Sequence, residues 1–123
     1  SAKESFTGVV NKDDLVFKLM IRQPNFITAE FFAEMLELAK KKKTNPLLEQ
    51  VVFESITEGT SVQMMHIGPF DDEAATFAIM EAFTEQQCLN RLSKSHREIY
   101  ISDFRKVAPE KLKTTLRFSV EDR

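Results

Sequence analysis

The stretch TSVQMMHIGPFDDEAATFAIMEAFTEQQ, residues 60–87, predicts a strand followed directly by a helix. The strand, residues 60–67, is rich in β-prone side chains and ends at a Gly-Pro pair. Asp71 or Asp72 can then cap a helix that runs to about Gln87. The apolar stripe of this helix consists of Ala75, Phe77, Ile79, Met80, Ala82 and Phe83. The change of period indicates a fold that mixes strands and helices.

Upstream of this stretch the sequence predicts two more strands and one more helix. Alternating apolar residues over 15–22 are typical of a half-buried strand. Thr28 is a good N-cap for an amphipathic helix that ends near Lys43. Residues 50–57 form a further β-prone run, which a two-residue Glu-Gly turn would join to the strand 60–67 as a tight hairpin.

Downstream, alternating apolar residues predict strands over 97–102 and 114–120, with one helical turn at 109–112 between them. The predicted order is therefore strand, helix, strand, strand, helix, strand, strand. The strands are amphipathic, which is typical of a sheet with one covered face. We predict an α+β fold with an antiparallel or mixed sheet and both helices on one face.

The composition is that of a single small domain. The chain has 123 residues, of which we assign 1–14 to a lead-in segment and 15–123 to the domain. It carries 17 Lys and Arg against 19 Asp and Glu, a formal charge of -2, which disfavours direct nucleic-acid binding. With Cys88 as the sole cysteine no internal disulfide can form, so we expect the cytoplasm. No stretch has the length of a membrane span.

The sequence lacks the motifs of several common functional sites. The three glycines are too far apart for a phosphate-binding loop, and His66 and His96 lack the spacing of a zinc motif. We predict neither a metal nor a cofactor. Cys88 has no basic neighbour and is expected to be inert. The run Lys40–Lys43 is better explained by the end of a helix, where lysines complement the dipole, than by nucleic-acid binding.

The segment HREIYISD, residues 96–103, combines a carboxylate with the only tyrosine. If Ile99 and Ile101 pack against the helices, strand alternation places Glu98 and Tyr100 together on the opposite, open face of the sheet. A carboxylate beside aromatic groups can bind a cationic aromatic ligand, or act as a general acid/base when burial raises its pKa. This segment is therefore the candidate site.

Glu98 and the pair Met64 and Met65 each have an alternative, purely structural interpretation. Glu98 could be a surface residue that pairs across strands with Arg117 or Lys113. Met64 and Met65 could fill a core, since methionine adapts to irregular gaps, or line a pocket for varied apolar ligands.

Four segments of the chain form a recognisable combination. They are KLMIRQPNFIT (18–28), VQMMHIGPFDDE (62–73), SHREIYISD (95–103) and PEKLKTTLRFSV (109–120). Together they resemble the GyrI-like small-molecule-binding family, which is related to the effector-binding domains of bacterial MerR-type and AraC-type multidrug regulators. The resemblance runs from about Asn11 to the C-terminus and implies a duplicated β-α-β-β fold with a central cleft. We expect the first repeat to be incomplete, because stand-alone members of about 200 residues have a β-α-β segment ahead of the first predicted strand, 15–22.

The resemblance also implies a site and a ligand class. Glu98 corresponds to the acidic residue of the cleft, with Tyr100 beside it. His66 and Met64 lie on a strand expected to border the cleft, and Phe104 lies at its rim. The implied ligands are amphipathic, aromatic or cationic small molecules, bound for sequestration or detoxification.

Other functions follow from the same resemblance. Some stand-alone members are similar to hydrolases that open the cyclopropane ring of DNA-alkylating natural products. In that alternative Glu98 is the general acid/base that activates water and Tyr100 is a positioning group. The family's namesake implies DNA gyrase as a protein partner, although no motif here specifies it. An incomplete repeat leaves a sheet edge to be paired, covered or dimerised, so a homodimer is a further expectation.

Overall fold

The computed structural model describes residues 16–123 and divides into two compact units. The first unit is Ser1–Glu54, of which residues 16–54 are described, and the second is Ser55–Arg123. The predicted lead-in 1–14 and Leu15 lie outside the described residues. The predicted assignment of 15–123 to one domain stays a prediction.

The described part of the first unit is built around α1, Ala29–Lys42. Thr28 caps this helix as predicted, because its Oγ1 accepts a hydrogen bond of 3.1 Å from the amide of Phe31. The last turn is basic and complements the helix dipole. A short 3-10 helix, Pro46–Gln50, follows, and the ring of Phe32 stacks on that of Phe53 at 5.4 Å.

The second unit is a four-stranded antiparallel sheet with one helix. In chain order its elements are β1 (Ser61–Ile67), α2 (Glu73–Gln86), β2 (Leu89–Arg91), β3 (Arg97–Tyr100) and β4 (Lys113–Asp122). β4 is central and pairs with the other three strands. One-turn 3-10 helices at Phe70–Asp72 and Pro109–Lys111 connect the strands and α2.

The core of the second unit lies between α2 and one face of the sheet, and α2 contacts β1 and β2. Its buried members are Val62, Met80, Leu116, Phe118 and Val120. Alternate residues of β4 are buried, as the predicted period of two requires. Burying a side chain such as Phe118 stabilises the fold by about 1.5–3 kcal/mol relative to leaving it in water.

Two predicted strands are wrong. Residues 16–22 and 50–57 form no strand, and Val16, Ile21 and Val52 are largely exposed. β1 pairs with β4 and not with the run 50–57, so the predicted hairpin is also wrong. The physical reason is that alternating apolar residues show only which segments could fit a sheet, whereas a strand needs a neighbouring backbone to hydrogen-bond with.

The predicted α+β class and the antiparallel sheet are confirmed. α2 lies on one face of that sheet, whereas α1 belongs to the first unit. A duplicated β-α-β-β arrangement is not present in residues 16–123, because the part before β1 contains a helix and no strand. β2 was not predicted; Cys88, with φ of 56°, makes the turn that leads from α2 into it.

Candidate functional site

The register of β3 on β4 places the candidate residues on the face that carries α2. Glu98 pairs with Leu116 and Tyr100 with Thr114, and both partners are buried on the α2 side. Adjacent residues in paired strands share a face, so Glu98 and Tyr100 point to that side and Ile99 to the other. The predicted placement on the open face is therefore wrong. β3 lies beside α2 and not under it, which leaves polar residues room on the covered side.

Glu98, His96 and Glu73 form a cluster beside the first turns of α2. His96 Nε2 lies 3.0 Å from Glu98 Oε2. The edge of the His96 ring contacts Phe77, with ring centroids 4.6 Å apart. Glu73 precedes Phe77 by one helical turn and therefore faces the same strand. Its Oε2 is buried and has no hydrogen-bond partner among residues 16–123.

The two carboxyl groups have opposite proton affinities. Burial, the negative charge of Glu98 and a hydrogen bond with Glu98 raise the pKa of Glu73 to about 8. The hydrogen bond with His96, and secondarily that with Glu73, holds the pKa of Glu98 below its usual value although burial opposes this. These directions favour a proton on Glu73 and the charge on Glu98 at pH 7.

An aromatic groove of about 430 Å³ begins at Tyr100, next to this cluster. Its lining is Tyr100, Ile101, Ser102, Asp103, Phe104 and Arg105. Phe70 contacts the rings of both Tyr100 and Phe104 edge to face, at 5.7 and 6.5 Å. Burial and the charges of Glu98 and Glu73 raise the pKa of Tyr100, so the carboxyl pair acts on the Tyr100 end of the groove.

The other carboxylate of the groove is already neutralised. Arg105 donates two side-chain hydrogen bonds of 3.0 Å and one backbone bond of 2.9 Å to Asp103, which lowers the pKa of Asp103. Glu98 has His96 as its partner instead, a side chain that is cationic when it is protonated. The alternative cross-strand pair of Glu98 with Arg117 does not form, because Arg117 donates hydrogen bonds to Glu58 and Gln63.

His66 and Met64 face α2 and lie away from the groove. His66 is buried, with Nε2 donating to the carbonyl of Pro69 at 2.8 Å and Nδ1 accepting from the hydroxyl of Thr76 at 2.7 Å. Both ring nitrogens thus have protein partners, and the predicted place of His66 in the ligand site stays a prediction. Met64 packs against the core, which decides its interpretation in favour of packing. Met65, on the other face, is 42% exposed.

Three residues of the site were not predicted as such: Glu73, His96 and Phe70. Glu73 lies in the first turn of α2, where acidic residues commonly complement the helix dipole, so nothing in the sequence distinguishes it. His96 is two residues from Glu98, which in a strand places both on one side. The two-residue spacing of His96 and Glu98 was the sequence feature from which His96 could have been predicted as a site residue.

No group of three or more His, Cys, Asp or Glu side chains within residues 16–123 has the geometry to hold a metal ion. None of the helices in this part of the chain is long and apolar enough to cross a membrane.

A concave groove with an apolar lining and a few polar groups is the usual form of a small-molecule site. Residues 11–121 match the family described as the GyrI-like small molecule binding domain, and the chain belongs to that family. The expected resemblance is confirmed over nearly the whole chain. No curated protein matches it.

Solved structures from Listeria innocua are similar to this chain. One, described as a hydrolase, is 42% identical with a TM-score of 0.73, and the match covers 81% of this chain and 52% of that one. An uncharacterized conserved protein is 44% identical with a TM-score of 0.75, over 81% and 50% of the two chains. A hydrolase encoded by lin2189 is 42% identical with a TM-score of 0.72, over the same shares. The match thus spans about half the length of each of these proteins.

Proposed function

We propose that this domain binds planar aromatic cations in the groove that begins at Tyr100. The observation that carries the proposal is the Glu98 carboxylate, bonded to His96, at the Tyr100 end of the aromatic groove. The family's description as a small-molecule-binding domain supports a small ligand. Binding of this kind would serve sequestration or detoxification of amphipathic compounds.

The chemistry of the groove favours a cation over a neutral ring. Tyr100 and Phe104 line the groove, and Phe70 contacts both of their rings. A cation over an aromatic ring contributes about 0.5–2 kcal/mol. The Glu98 side chain is 29% exposed, so water screens its charge only in part. Its hydrogen bond to His96 fixes the carboxylate and leaves the second oxygen for the ligand or Glu73.

Ethidium, a planar aromatic monocation, provides the test because its fluorescence changes on binding. We expect saturable binding to the wild-type chain at pH 7 and a loss of about tenfold in affinity for Glu98→Gln, which corresponds to about 1.4 kcal/mol. Asp103→Asn is the matched control: it removes a groove carboxylate that Arg105 already neutralises, and we expect less than a twofold change.

A neutral phenanthridine of the same ring shape separates charge recognition from stacking. We expect it to bind more weakly than ethidium and to be insensitive to Glu98→Gln. Equal losses for both variants with ethidium, or equal affinity for the neutral ring, would contradict the proposed recognition of a cation by Glu98.

Hydrolysis of a cyclopropane-bearing compound is a second candidate, favoured by the two carboxyl groups of opposite protonation. Two titratable groups whose environments separate their pKa values can serve as acid and base. The similar Listeria structures described as hydrolases also favour it. Glu98 would take a proton from water as the water oxygen attacks the strained ring. The C–C bond that breaks leaves its electron pair on the substrate, which takes a proton from Glu73.

Mass spectrometry distinguishes turnover from binding. A hydrolase would convert a cyclopropane-bearing alkylating compound into a product heavier by one water, at a rate that exceeds the reaction without protein. We expect Glu98→Gln to abolish this conversion and Asp103→Asn to leave it unchanged. Saturable binding with no product would leave sequestration as the function of these residues.

A further inference from the structure

Helix α1 has an apolar stripe that the described residues leave open. Phe31, Met35 and Leu38 follow one another at intervals of four and three residues, so their side chains form a ridge along one side of the helix. They are 45%, 42% and 47% exposed, and α1 has no buried residue. An isolated helix of 14 residues is marginal in water, so covering its apolar side would stabilise it. The stripe is therefore a candidate interaction surface.

The other edge of the apolar side of α1 is already in contact within the first unit. The ring of Phe32 stacks on that of Phe53 at 5.4 Å. Leu36 and Ala39 follow Phe32 at the same intervals of four and three residues and are half-buried. What remains open is the single ridge beside them, which has the width that one further helix can cover.

A row of charged residues runs beside the open stripe. Glu30 and Glu34 lie along one side of it, and Lys41 continues their row at the other end of the helix. The salt bridges that α1 forms within residues 16–123 involve Glu37 and Lys40, and none involves a member of this row. The row is thus negative near the start of α1, positive near its end and uncompensated in this part of the chain.

We propose that α1 is a self-association surface, at which two copies of this chain pair their helices antiparallel through the stripe of Phe31, Met35 and Leu38. A twofold axis at Met35 brings Phe31 of each copy against Leu38 of the other. The axis also brings the same side of both helices together with their ends reversed. Glu30 of each copy then faces Lys41 of the other, and the two helix dipoles run in opposite directions, which favours this orientation over a parallel one.

The charge pattern selects a second copy as the occupant. A helix that covers this stripe has to be apolar along one side and to carry charges in the reverse order beside it, and α1 itself meets both requirements when it is turned end to end. One contact opposes the association, because Glu34 of each copy approaches Glu34 of the other near the axis. Each copy contributes one 14-residue helix, less than a standard interface, so we expect a reversible dimer with a Kd of about 10–100 µM.

Sedimentation velocity of the full 123-residue chain over about 2–500 µM tests the surface. We expect a concentration-dependent shift from monomer to dimer, which Met35→Lys abolishes because it places two positive charges at the axis. Met65→Lys is the matched control: Met65 is also 42% exposed but lies on the sheet of the second unit, and we expect that variant to associate as the wild type does within about twofold. A chain that stays monomeric over this range, or a dimer that Met35→Lys leaves intact, overturns the inference.

Charge reversal tests the antiparallel orientation without changing the apolar stripe. Glu30→Lys and Lys41→Glu each turn two attractive contacts into repulsive ones, so we expect each variant alone to associate at least about fivefold more weakly. An equimolar mixture of the two variants restores opposite charges at both contacts, and its heterodimer should regain the wild-type affinity within about twofold. A mixture that associates no better than the single variants overturns the antiparallel arrangement.

Glu34→Gln gives a change of the opposite sign. It removes the like-charge contact near the axis, and we expect it to strengthen the association about twofold to threefold. A weaker dimer in Glu34→Gln would contradict the position of the axis. The surface belongs to the first unit, whereas the groove proposed for the ligand belongs to the second, so the result with ethidium and the result of sedimentation stand or fall separately.

Discussion

His66 and His96 lie on opposite sides of the central strand β4. They differ in how far α2 covers them and in their hydrogen-bond partners. Under the helix, His66 is buried and both of its nitrogens have protein partners. Beside the helix, His96 has Glu98 as its hydrogen-bond partner and the ring of Phe77 as its neighbour. A polar group that is fully covered must be satisfied by the protein, whereas one at the margin can be left to a ligand. Position relative to α2 therefore separates a histidine with two protein partners from one that lies at the margin, beside the candidate site.

Of the substitutions that test this comparison, we expect removal of the covered histidine, His66, to change the free energy of unfolding most. His66→Ala leaves the Pro69 carbonyl without its donor and Thr76 without its acceptor in a buried place, which we expect to cost about 2–4 kcal/mol of unfolding free energy. Urea unfolding measures it. Met65→Ala, on the other face of β1, is the matched control and should cost less than about 1 kcal/mol. Equal costs for the two variants would contradict this contribution of His66 to stability.

We expect an intermediate change in stability, dependent on pH, from substitution of Glu73. The folded pKa of Glu73, about 8, lies above its unfolded value of 4.5, so the folded state holds this proton more tightly. Its contribution to stability is complete below pH 4.5 and is lost as pH rises from 4.5 through 8. We expect Glu73→Gln to flatten the stability profile over this window and to gain about 1–2 kcal/mol over the wild type at pH 9, an amount already reduced for solvent screening.

Glu98 should show the opposite dependence in a separate window. Its folded pKa lies below the unfolded value, so its contribution is present above that value and is lost as pH falls through the folded pKa. Urea unfolding of Glu98→Gln across the acid range measures it. A stability profile of Glu73→Gln that declines above pH 5 as steeply as that of the wild type would contradict the proton assignment.

The smallest effect on stability should come from the marginal histidine. His96→Ala removes a partly exposed hydrogen bond to Glu98, and we expect a cost below about 1 kcal/mol. Its effect on the carboxylate should be clear, because the bond with His96 is the main cause of the lowered pKa of Glu98. NMR titration of the Glu98 side chain should show that pKa rising in His96→Ala. An unchanged pKa would mean that His96 does not hold the charge on Glu98.

The sequence predicted local elements well where their signals are local. Thr28 as a cap, the helix that ends near Gln87 and the alternation in β4 depend on neighbours within a few residues. The runs 15–22 and 50–57 carry the same alternation, but their pairing depends on distant backbone, and no strand forms over the described residues of either run.

Local patterns also could not predict which face of the sheet carries the candidate site residues of β3. Alternation correctly grouped Glu98 with Tyr100, but the side they occupy depends on the register with Leu116 and Thr114. Apolar Ile99 was expected under a helix. It lies on the other face because it pairs with Thr115, whereas the buried Leu116 and Thr114 face α2.

By itself the sequence determined the family, the α+β class and the two helices, since these depend on residue identity and local spacing. It also predicted Glu98 and Tyr100 as residues of the site. Only the tertiary structure decided that Glu73 and His96 meet at Glu98 and that His66 is occupied elsewhere. Glu73 and Glu98 lie on different elements separated by a turn and a strand, so their contact results from how α2 and β3 pack against β4. A shared proton depends on distances of a few ångströms, which local sequence patterns do not encode.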